Sequence, residues 1–339
     1  MKSNFKLKEV WDKLKAIGFY TLEDYRAKHV NRNTPLWRCE LILTDKCNFN
    51  CPYCRGLRPD CKGDMDFDKA IEVLDYWIAE GLKNVRFSGG EPTLYKGLPK
   101  LVKHCRDNRV KRIAISTNGS MPQEIYAELI NAGANDFSIS LDACCASTGD
   151  TMAGGIKGVW EKVKDNIEIL SKITYVTVGV VLTDDNFNEL KDIIEFASDL
   201  GVSDIRIISS AQWNNEEKFR KLFDNEEILT KYPILKYRIE NFKKGRNVRG
   251  ISSEDSTTCR LMLDDMVIAK NNHFPCIIAM REGAEPIGSI LGKTMEEIRD
   301  ERGNWVANNN THCSDICRKN CLDVCVDYNN RAEQYANLD

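Results

Sequence analysis

The fold of this chain is decided by residues 36–54, which read LWRCELILTDKCNFNCPYC. The first eight of these residues form an apolar run rich in β-forming side chains, and such a run predicts a buried strand. The loop that follows places Cys47, Cys51 and Cys54 in the pattern C-x3-C-x2-C. Three thiolates supply one ligand fewer than a closed zinc site or a fully ligated [4Fe–4S] cubane requires. The pattern therefore favours an iron–sulfur cluster with one open iron, and a zinc site closed by Cys61 is the alternative.

The alternation of a short apolar strand, a loop and a helix continues to about residue 210. The predicted strands are Leu36–Leu43, Asn84–Phe87, Arg112–Ser116, Asp136–Leu141, Tyr175–Leu182 and Asp204–Ile208. The predicted helices are Phe67–Glu80, Leu98–Arg106, Gln123–Asn131, Lys157–Leu170 and Phe187–Leu200. Because strands alternate with helices, the pattern indicates a parallel sheet built from βαβ units.

Six such units are too few for a closed eightfold barrel. We therefore expect an α/β fold containing a partial (β/α)6 TIM-like barrel, with a doubly wound sheet as the alternative. In both architectures the loops after the carboxyl ends of the strands hold the active site.

The alternation of strands and helices is absent on either side of this repeat, and the sequence pattern as a whole predicts four regions. These are an N-terminal helical extension (1–35), the βα core (36–212), a helical linker (213–257) and a cysteine-rich C-terminal domain (258–339). The extension contains an amphipathic stretch at Lys6–Ile17, and the last region contains a possible hairpin at Asp264–Cys276 and a helix at Thr294–Trp305.

Composition excludes several classes of protein. The chain has 339 residues, 42% of them apolar, yet no apolar run long enough to span a bilayer. Its net charge of -3 makes nucleic acid an unlikely partner, and its N-terminus has no signal-peptide pattern. We therefore expect a cytoplasmic protein without membrane partners. In that reducing compartment its fourteen cysteines need a role other than disulfides.

A second group of cysteines lies after the barrel. Its members are Cys259, Cys276, Cys313, Cys317, Cys321 and Cys325. Six thiolates exceed the four that one cubane needs and fall short of the eight for two. Four clustered cysteines at Cys313–Cys325 also suit a structural zinc site, which is the alternative.

Further motifs follow the predicted strands in order: SGGEP at residues 88–92, STNG at 116–119 and SLD at 140–142. Together with the cysteine loop after the first strand, they resemble the radical S-adenosylmethionine (SAM) superfamily. The resemblance covers roughly residues 36–210. It implies that the open iron of the first cluster binds SAM, whose reductive cleavage gives a 5'-deoxyadenosyl radical that abstracts hydrogen from the substrate.

The resemblance also implies which residues contact SAM. Gly89 and Gly90 would let the backbone approach the methionine moiety, Glu91 would accept a hydrogen bond from its ammonium group, and Tyr53 would lie beside the adenine. The other candidates for cofactor binding are Ser88, Ser116, Asn118, Ser140 and Asp142. Ser116, Asn118 and Asp142 could instead be turn or helix-capping residues, and Gly89–Pro92 could be a plain strand-to-helix turn.

The six later cysteines resemble the SPASM and Twitch auxiliary-cluster domains of this superfamily, although the even C-x3-C spacing departs from the usual SPASM pattern. We expect one auxiliary [4Fe–4S] cluster held by Cys259, Cys276 and two of the last four cysteines. Two incompletely ligated clusters are the alternative.

Cys144 and Cys145 lie in the loop after the fourth strand, where substrate should arrive. Some peptide epimerases of the superfamily use a thiol as a hydrogen-atom donor, and the two cysteines are candidates for this catalytic role. An inert packing role is the alternative.

The resemblance to radical SAM enzymes with auxiliary clusters implies an oxidoreductase that modifies a peptide by cross-linking, oxidation or epimerisation. A small-molecule enzyme, resembling a nucleotide cyclase or an alcohol dehydrogenase, is the alternative, and a zinc-binding interaction module is a third possibility. The resemblance implies a peptide or small-molecule substrate and a reductant such as flavodoxin or ferredoxin.

Overall fold

The computed structural model describes residues 24–211 and 225–336. The helix expected at Lys6–Ile17 and most of the expected N-terminal extension lie outside these residues. The strands are β1 (Arg38–Thr44), β2 (Asn84–Gly89), β3 (Arg112–Thr117), β4 (Asp136–Ser140), β5 (Tyr175–Leu182), β6 (Asp204–Ser209), β7 (Asp265–Ala269), β8 (Asn272–Phe274) and β9 (Gly288–Ser289).

The α-helices alternate with the first six strands and then continue without such alternation. They are α1 (Asp24–His29), α2 (Phe67–Ala79), α3 (Leu98–Asp107), α4 (Gln123–Ala132), α5 (Ala146–Met152), α6 (Val159–Ile173), α7 (Leu190–Asp199), α8 (Glu226–Lys231), α9 (Pro233–Lys243), α10 (Ile277–Arg281), α11 (Met295–Asn308), α12 (Asp315–Asn320) and α13 (Asp323–Ala336). All six expected strands are present, and the α/β fold class is confirmed. The short helix α5, directly after the β4 loop, was not predicted.

The chain divides into two compact units. Within the described residues, the first unit holds 47–54, 115–211 and 225–249, and the second holds 24–46, 55–114 and 250–336. The boundary passes through β3, whose residues 112–114 belong to the second unit and 115–117 to the first.

In the first unit, β5 pairs in parallel with β4 on one side and with β6 on the other. Seven of the eight residues of β5 are buried, as expected for a strand covered on both faces. Helix α6 buries Val163, Ile167 and Leu170, and each apolar side chain buried in this way contributes about 2 kcal/mol. Because β4 and β5 are parallel neighbours, the loops that follow them leave the sheet at the same edge.

In the second unit, β1 is flanked in parallel by β2 and β7. The strands β7 and β8 form the hairpin expected at Asp264–Cys276, and β9 extends it in antiparallel fashion. The sequence did not predict that β7 would join β1 in parallel, because a hairpin pattern does not specify its neighbour in the sheet. Helix α11 begins at the expected position, where Thr294 and Glu297 form a capping box.

No helix in the described parts of the chain is both long and apolar enough to cross a membrane.

Candidate active site and cysteine clusters

The loop of the C-x3-C-x2-C motif leaves its thiols accessible. Cys47 and Cys54 are exposed, whereas Cys51 is half-buried. Burial, followed by the charge of the nearby Asp142 carboxylate, raises the pKa of the Cys51 thiol to about 12. Metal binding to such a thiol must displace its proton.

Polar side chains of the same unit hold this loop. Asn118 donates from Nδ2 to Asn48 Oδ1 at 2.8 Å, and Asn48 donates in turn to Ser120 Oγ at 2.8 Å. Ser120 Oγ closes the ring by donating to Asn118 Oδ1 at 2.8 Å. Asn118, a predicted SAM contact, therefore positions the cysteine loop in this structure. The positioning roles of Asn48 and Ser120 were not predicted from the sequence. Asn48 lies inside the cysteine motif, and Ser120 directly follows the STNG motif.

Two other predicted SAM contacts, Tyr53 and Asp142, meet each other. The hydroxyl of Tyr53 donates to Asp142 Oδ2 at 2.5 Å, and the backbone N–H of Val181 donates to Asp142 Oδ1 at 2.7 Å. Burial raises the pKa of Asp142 to about 6, although both hydrogen bonds act to lower it. Burial, followed by the charge of Asp142, raises the pKa of Tyr53 well above its ordinary value. The pair ties the cysteine loop to the loop after β4.

The two remaining predicted SAM contacts of the first unit lie near the carboxyl ends of strands. Ser116 is half-buried near the end of β3, and Ser140 is exposed at the last residue of β4. Elsewhere in the loop, the backbone N–H of Asn50 donates to Ala153 O at 3.1 Å.

In the second unit, the SGGEP motif packs against the end of β1. The backbone N–H of Gly90 donates to Thr44 O, and that of Glu91 donates to Lys46 O, both at 2.7 Å. A Cβ atom added at Gly89 would lie 2.3 Å from Thr44 O, and one added at Gly90 would lie 2.3 Å from Lys46 O. Gly89 also has a φ of +145°. The two glycines are thus already required by close approach of the protein's own backbone.

The polar residues of the motif are buried. Ser88 Oγ donates to Glu40 Oε1 at 2.6 Å. Glu91 is fully buried, and its Oε1 accepts a hydrogen bond from the backbone N–H of Thr93 at 3.1 Å. Helix α10 reaches the same motif through Arg281, which donates to Gly89 O at 2.7 Å and to Gly56 O at 2.9 Å. No motif in the sequence pointed to Arg281.

Five of the six later cysteines gather in the second unit. Burial, followed by the charges of Cys317 and Cys325, raises the pKa of Cys259 to about 12. Burial likewise raises the pKa of Cys276, with contributions from the same three thiols. A hydrogen bond with Cys325 is the main cause of the raised pKa of Cys321. These effects mean that the five thiols lie within electrostatic range of one another.

Cys313 differs from the other five, because it is exposed and is not among the charges that raise the pKa of Cys259, Cys276, Cys317 or Cys321. It ends the single turn Thr311–Cys313, whereas Cys317, Cys321 and Cys325 lie in or at the ends of α12 and α13. The sequence could not separate Cys313 from its neighbours, since all four have the same spacing.

A buried cation accompanies the five thiols. Arg302 on α11 is 1% exposed, and its guanidinium donates to the carbonyl oxygens of Met262 at 2.6 Å and Phe274 at 3.1 Å. Burial lowers its pKa to about 10, while the charges of Asp265, Cys259 and Cys276 raise it. A positive charge here favours the thiolate forms that a metal cluster needs. Sequence reasoning missed Arg302, because an arginine in a helix is usually exposed.

The spacing of the potential ligand atoms distinguishes a site for a single metal ion from a site for an iron–sulfur cluster. Within 24–211 and 225–336, only one group of three or more potential ligands has all its donor atoms within 4.8 Å of one another, and it is Cys144, Cys145 and Glu189. Neither predicted cluster site is drawn together tightly enough for a single ion. A cubane does not need such close spacing, because each thiolate binds a different iron.

Cys61, the alternative zinc ligand, lies in an apolar cluster with Leu57 and Phe274 and is 2% exposed. Burial raises the pKa of its thiol to about 11. Cys61 is thus a core residue of the second unit.

Comparison with known proteins identifies a family match for part of the chain. Residues 41–197 match the family model described as the Radical SAM superfamily. A GTP 3',8-cyclase of Helicobacter pylori is 29% identical over 208 residues, covering 57% of this chain and 63% of the relative. A probable GTP 3',8-cyclase of Methanococcus vannielii is 30% identical over 165 residues, covering 48% of this chain and 54% of the relative. The chain thus spans less than two thirds of the length of these relatives.

Solved structures with a similar fold include SuiB of Streptococcus suis bound to the precursor peptide SuiA. The TM-score is 0.63 at 13% identity, over 85% of this chain and 70% of that one. Another is anSMEcpe with bound AdoMet, with a TM-score of 0.59 at 16% identity, over 90% of this chain and 97% of that one. At these identities the likeness concerns the fold alone. The family match and the order of the motifs agree, and residues 41–197 of the chain form a radical SAM domain.

Proposed function

We propose that this protein is a radical SAM enzyme that modifies a peptide, by cross-linking, oxidation or epimerisation. The observation that carries the proposal is the gathering of Cys259, Cys276, Cys317, Cys321 and Cys325 in the second unit. Four thiolates fully ligate one cubane, so this group supports an auxiliary cluster. The fold likeness to a protein solved with a precursor peptide extends over 85% of the chain and adds support.

In this proposal, Cys47, Cys51 and Cys54 hold a [4Fe–4S] cluster with an open iron for SAM. When bound and reduced, this pair of cofactors supplies the 5'-deoxyadenosyl radical that abstracts hydrogen from the substrate. Accessible thiols suit that role, because the open iron must admit SAM.

The chain's own residues then shape the SAM site. Tyr53 and Asp142 position the cysteine loop from one side, and Asn118 positions it from another. Ser116 and Ser140, at the carboxyl ends of β3 and β4, are proposed to contact SAM directly. In the SGGEP motif, Gly89 and Gly90 set the path of the backbone, Ser88 fixes Glu40, and Glu91 is proposed to accept a hydrogen bond from the ammonium group of SAM.

We propose one auxiliary [4Fe–4S] cluster, ligated by Cys259, Cys276 and two of Cys317, Cys321 and Cys325. Two auxiliary clusters would need eight thiolates, and the five gathered thiols supply fewer. Cluster chemistry of this kind requires a reducing compartment, so we propose a cytoplasmic enzyme reduced by a flavodoxin or ferredoxin.

A second candidate function is a small-molecule reaction on a nucleotide. Its support is the 29% identity to a GTP 3',8-cyclase, which covers 57% of this chain. Because the match covers 57% of this chain and 63% of the relative, it favours the radical chemistry that both functions share more directly than the substrate.

The test is anaerobic reconstitution with SAM and dithionite, followed by measurement of 5'-deoxyadenosine in the presence of GTP or of candidate precursor peptides. We expect a peptide to stimulate SAM cleavage and to change mass. A loss of two mass units would indicate cross-linking or oxidation, and a gain of one unit in deuterated water would indicate epimerisation. Stimulation by GTP with conversion of GTP, and none by peptides, would overturn the peptide proposal in favour of the second candidate.

A further inference from the structure

We propose that Cys144, Cys145 and Glu189 form a binding site for one Zn²⁺ ion, separate from both proposed iron–sulfur sites. Cys144 and Cys145 lie in the loop after β4, and Glu189 ends the single turn Phe187–Glu189 that precedes α7. All three belong to the first unit. The proposal stands on these residues alone and does not depend on the proposed function.

The donor atoms have the spacing that a single ion needs. The Sγ and carboxylate oxygen atoms of the three residues lie within 4.8 Å of one another, and Cys144 Sγ lies 3.9 Å from Glu189 Oε2. Tetrahedral zinc with Zn–S of about 2.3 Å and Zn–O of about 2.1 Å separates sulfur from oxygen by about 3.6 Å. The three donors therefore have to close by only a few tenths of an ångström at this pair. Two thiolates and a carboxylate are also donor types that zinc uses.

The carboxylate is oriented before any ion arrives. Thr148 Oγ1 donates to Glu189 Oε1 at 2.7 Å, which leaves Oε2 directed at Cys144. Hydrogen bonds from a neighbouring residue to a metal-ligating carboxylate are typical of metal sites, where they fix the ligand's direction.

Buried side chains fix the two loops that carry the ligands. Asn186 is fully buried, and its Nδ2 donates to Asp142 O and to Val181 O, both at 2.9 Å. Trp160 Nε1 donates to Ala143 O at 3.0 Å, on the residue directly before Cys144. Asn186 thus ties the loop after β5 to Asp142, and Trp160 of α6 holds the next residue, Ala143. The positions of the metal-binding residues are therefore fixed by buried hydrogen bonds.

Glu189 has no cationic ion-pair partner, whether lysine, arginine or histidine, among the residues that the structure describes. A divalent cation would balance the negative charge that two thiolates and a carboxylate bring together. Three protein ligands leave a fourth position for water or a substrate atom, as in catalytic zinc sites.

Zinc binding would change the role available to this cysteine pair. A metal-bound thiolate carries no S–H hydrogen, so a zinc-loaded pair could not act as the hydrogen-atom donor expected from the sequence. Zinc content and hydrogen donation therefore exclude each other at this site.

The test titrates Zn²⁺ into protein whose iron–sulfur clusters are already loaded, in competition with a chelator, and counts zinc per chain by mass spectrometry. We expect wild-type protein to bind one equivalent more than a Cys144→Ala/Cys145→Ala variant. Glu189→Gln should weaken this equivalent, and Thr148→Val should weaken it about 10- to 100-fold, as for other orienting partners of metal ligands. Glu195 lies on helix α7, which directly follows Glu189, but it is not part of the cluster. Glu195→Gln should therefore bind zinc like wild type and serves as the matched control.

Equal zinc content in wild type and the double variant would overturn the proposal, and so would an affinity unaffected by both Glu189→Gln and Thr148→Val. If the double variant does not fold, the two single variants still decide the outcome. Iron content and SAM cleavage, measured on the same samples, report separately on the proposed function.

Discussion

The two groups of cysteines in this chain are held in opposite ways. In the loop Cys47–Cys54, two of the three thiols are exposed, and polar side chains such as Asn118 and Asp142 hold the loop. In the second group, the pKa values of Cys259, Cys276, Cys317 and Cys321 are raised, and Arg302 is buried beside this group. The first arrangement suits a cluster that must admit a cofactor, and the second suits a closed cluster with all its ligands in the protein.

The largest expected effect concerns the exposed group. Replacing Cys51 by alanine should remove about four iron atoms per chain and reduce SAM cleavage to background, because a three-ligand cluster cannot lose a ligand and persist. Iron analysis and 5'-deoxyadenosine formation measure both. Cys61→Ala is the matched control, since Cys61 is a buried core residue, and it should leave both values unchanged. Full SAM cleavage by the Cys51→Ala variant would contradict the assignment of the open cluster.

The next effect separates members of the buried group. Cys259→Ala should lose about four iron atoms per chain, whereas Cys313→Ala should keep them, because Cys313 is exposed and apart from the other five. Electron paramagnetic resonance of the reduced protein should lose the auxiliary signal in the first variant only. Loss of the same signal in the Cys313→Ala variant would mean that Cys313 is a ligand after all.

A smaller effect concerns the polar support of the exposed loop. Burial raises the pKa of Asp142 from 3.8 to about 6, so between these pH values the folded state binds the proton more tightly than the unfolded state. The free energy of unfolding should therefore fall as pH rises from about 4 to about 6, by up to about 3 kcal/mol, and stay level above. Asp142→Asn should lack this fall when urea unfolding of both proteins is compared across that range.

Tyr53→Phe sharpens the same measurement. The hydrogen bond from Tyr53 lowers the pKa of Asp142, so its removal should move the fall to higher pH. Identical pH profiles for wild type and Asp142→Asn would show that Asp142 does not titrate in this window.

The smallest expected effect concerns the contact between α10 and the SGGEP motif. Arg281 donates to the carbonyl oxygens of Gly56 and Gly89, and its replacement by glutamine removes both bonds. The Kd for SAM should rise about tenfold, as expected if losing the bond to the SGGEP motif at Gly89 costs about 1.4 kcal/mol of SAM binding. Equilibrium dialysis on cluster-loaded protein measures this. Arg318→Gln, an exposed arginine on α12, is the matched control. An unchanged Kd together with unchanged stability would remove Arg281 as a positioning residue.

The strands, the helices and the first metal motif could be predicted because their signals are local. The run before Cys47 reads as a strand by its apolar residues alone, and C-x3-C-x2-C brings three thiols together by chain connectivity. The hairpin β7–β8 and the helix α11 follow from equally local patterns. The roles of single polar residues were harder to predict, since Asn118 and Tyr53 contact partners more than 60 residues away.

The sequence by itself therefore determined the α/β class, the order of the motifs and the residue types available for metal binding. Only the tertiary structure decided that Cys313 stands apart, that Arg302 is buried beside the thiols, and that Glu189 meets Cys144 across 45 residues. The physical reason is that a local pattern is set by backbone geometry over a few residues. The meeting of distant side chains depends on which strands become neighbours, and it was the parallel pairing of β4 with β5 that brought these two loops to the same edge.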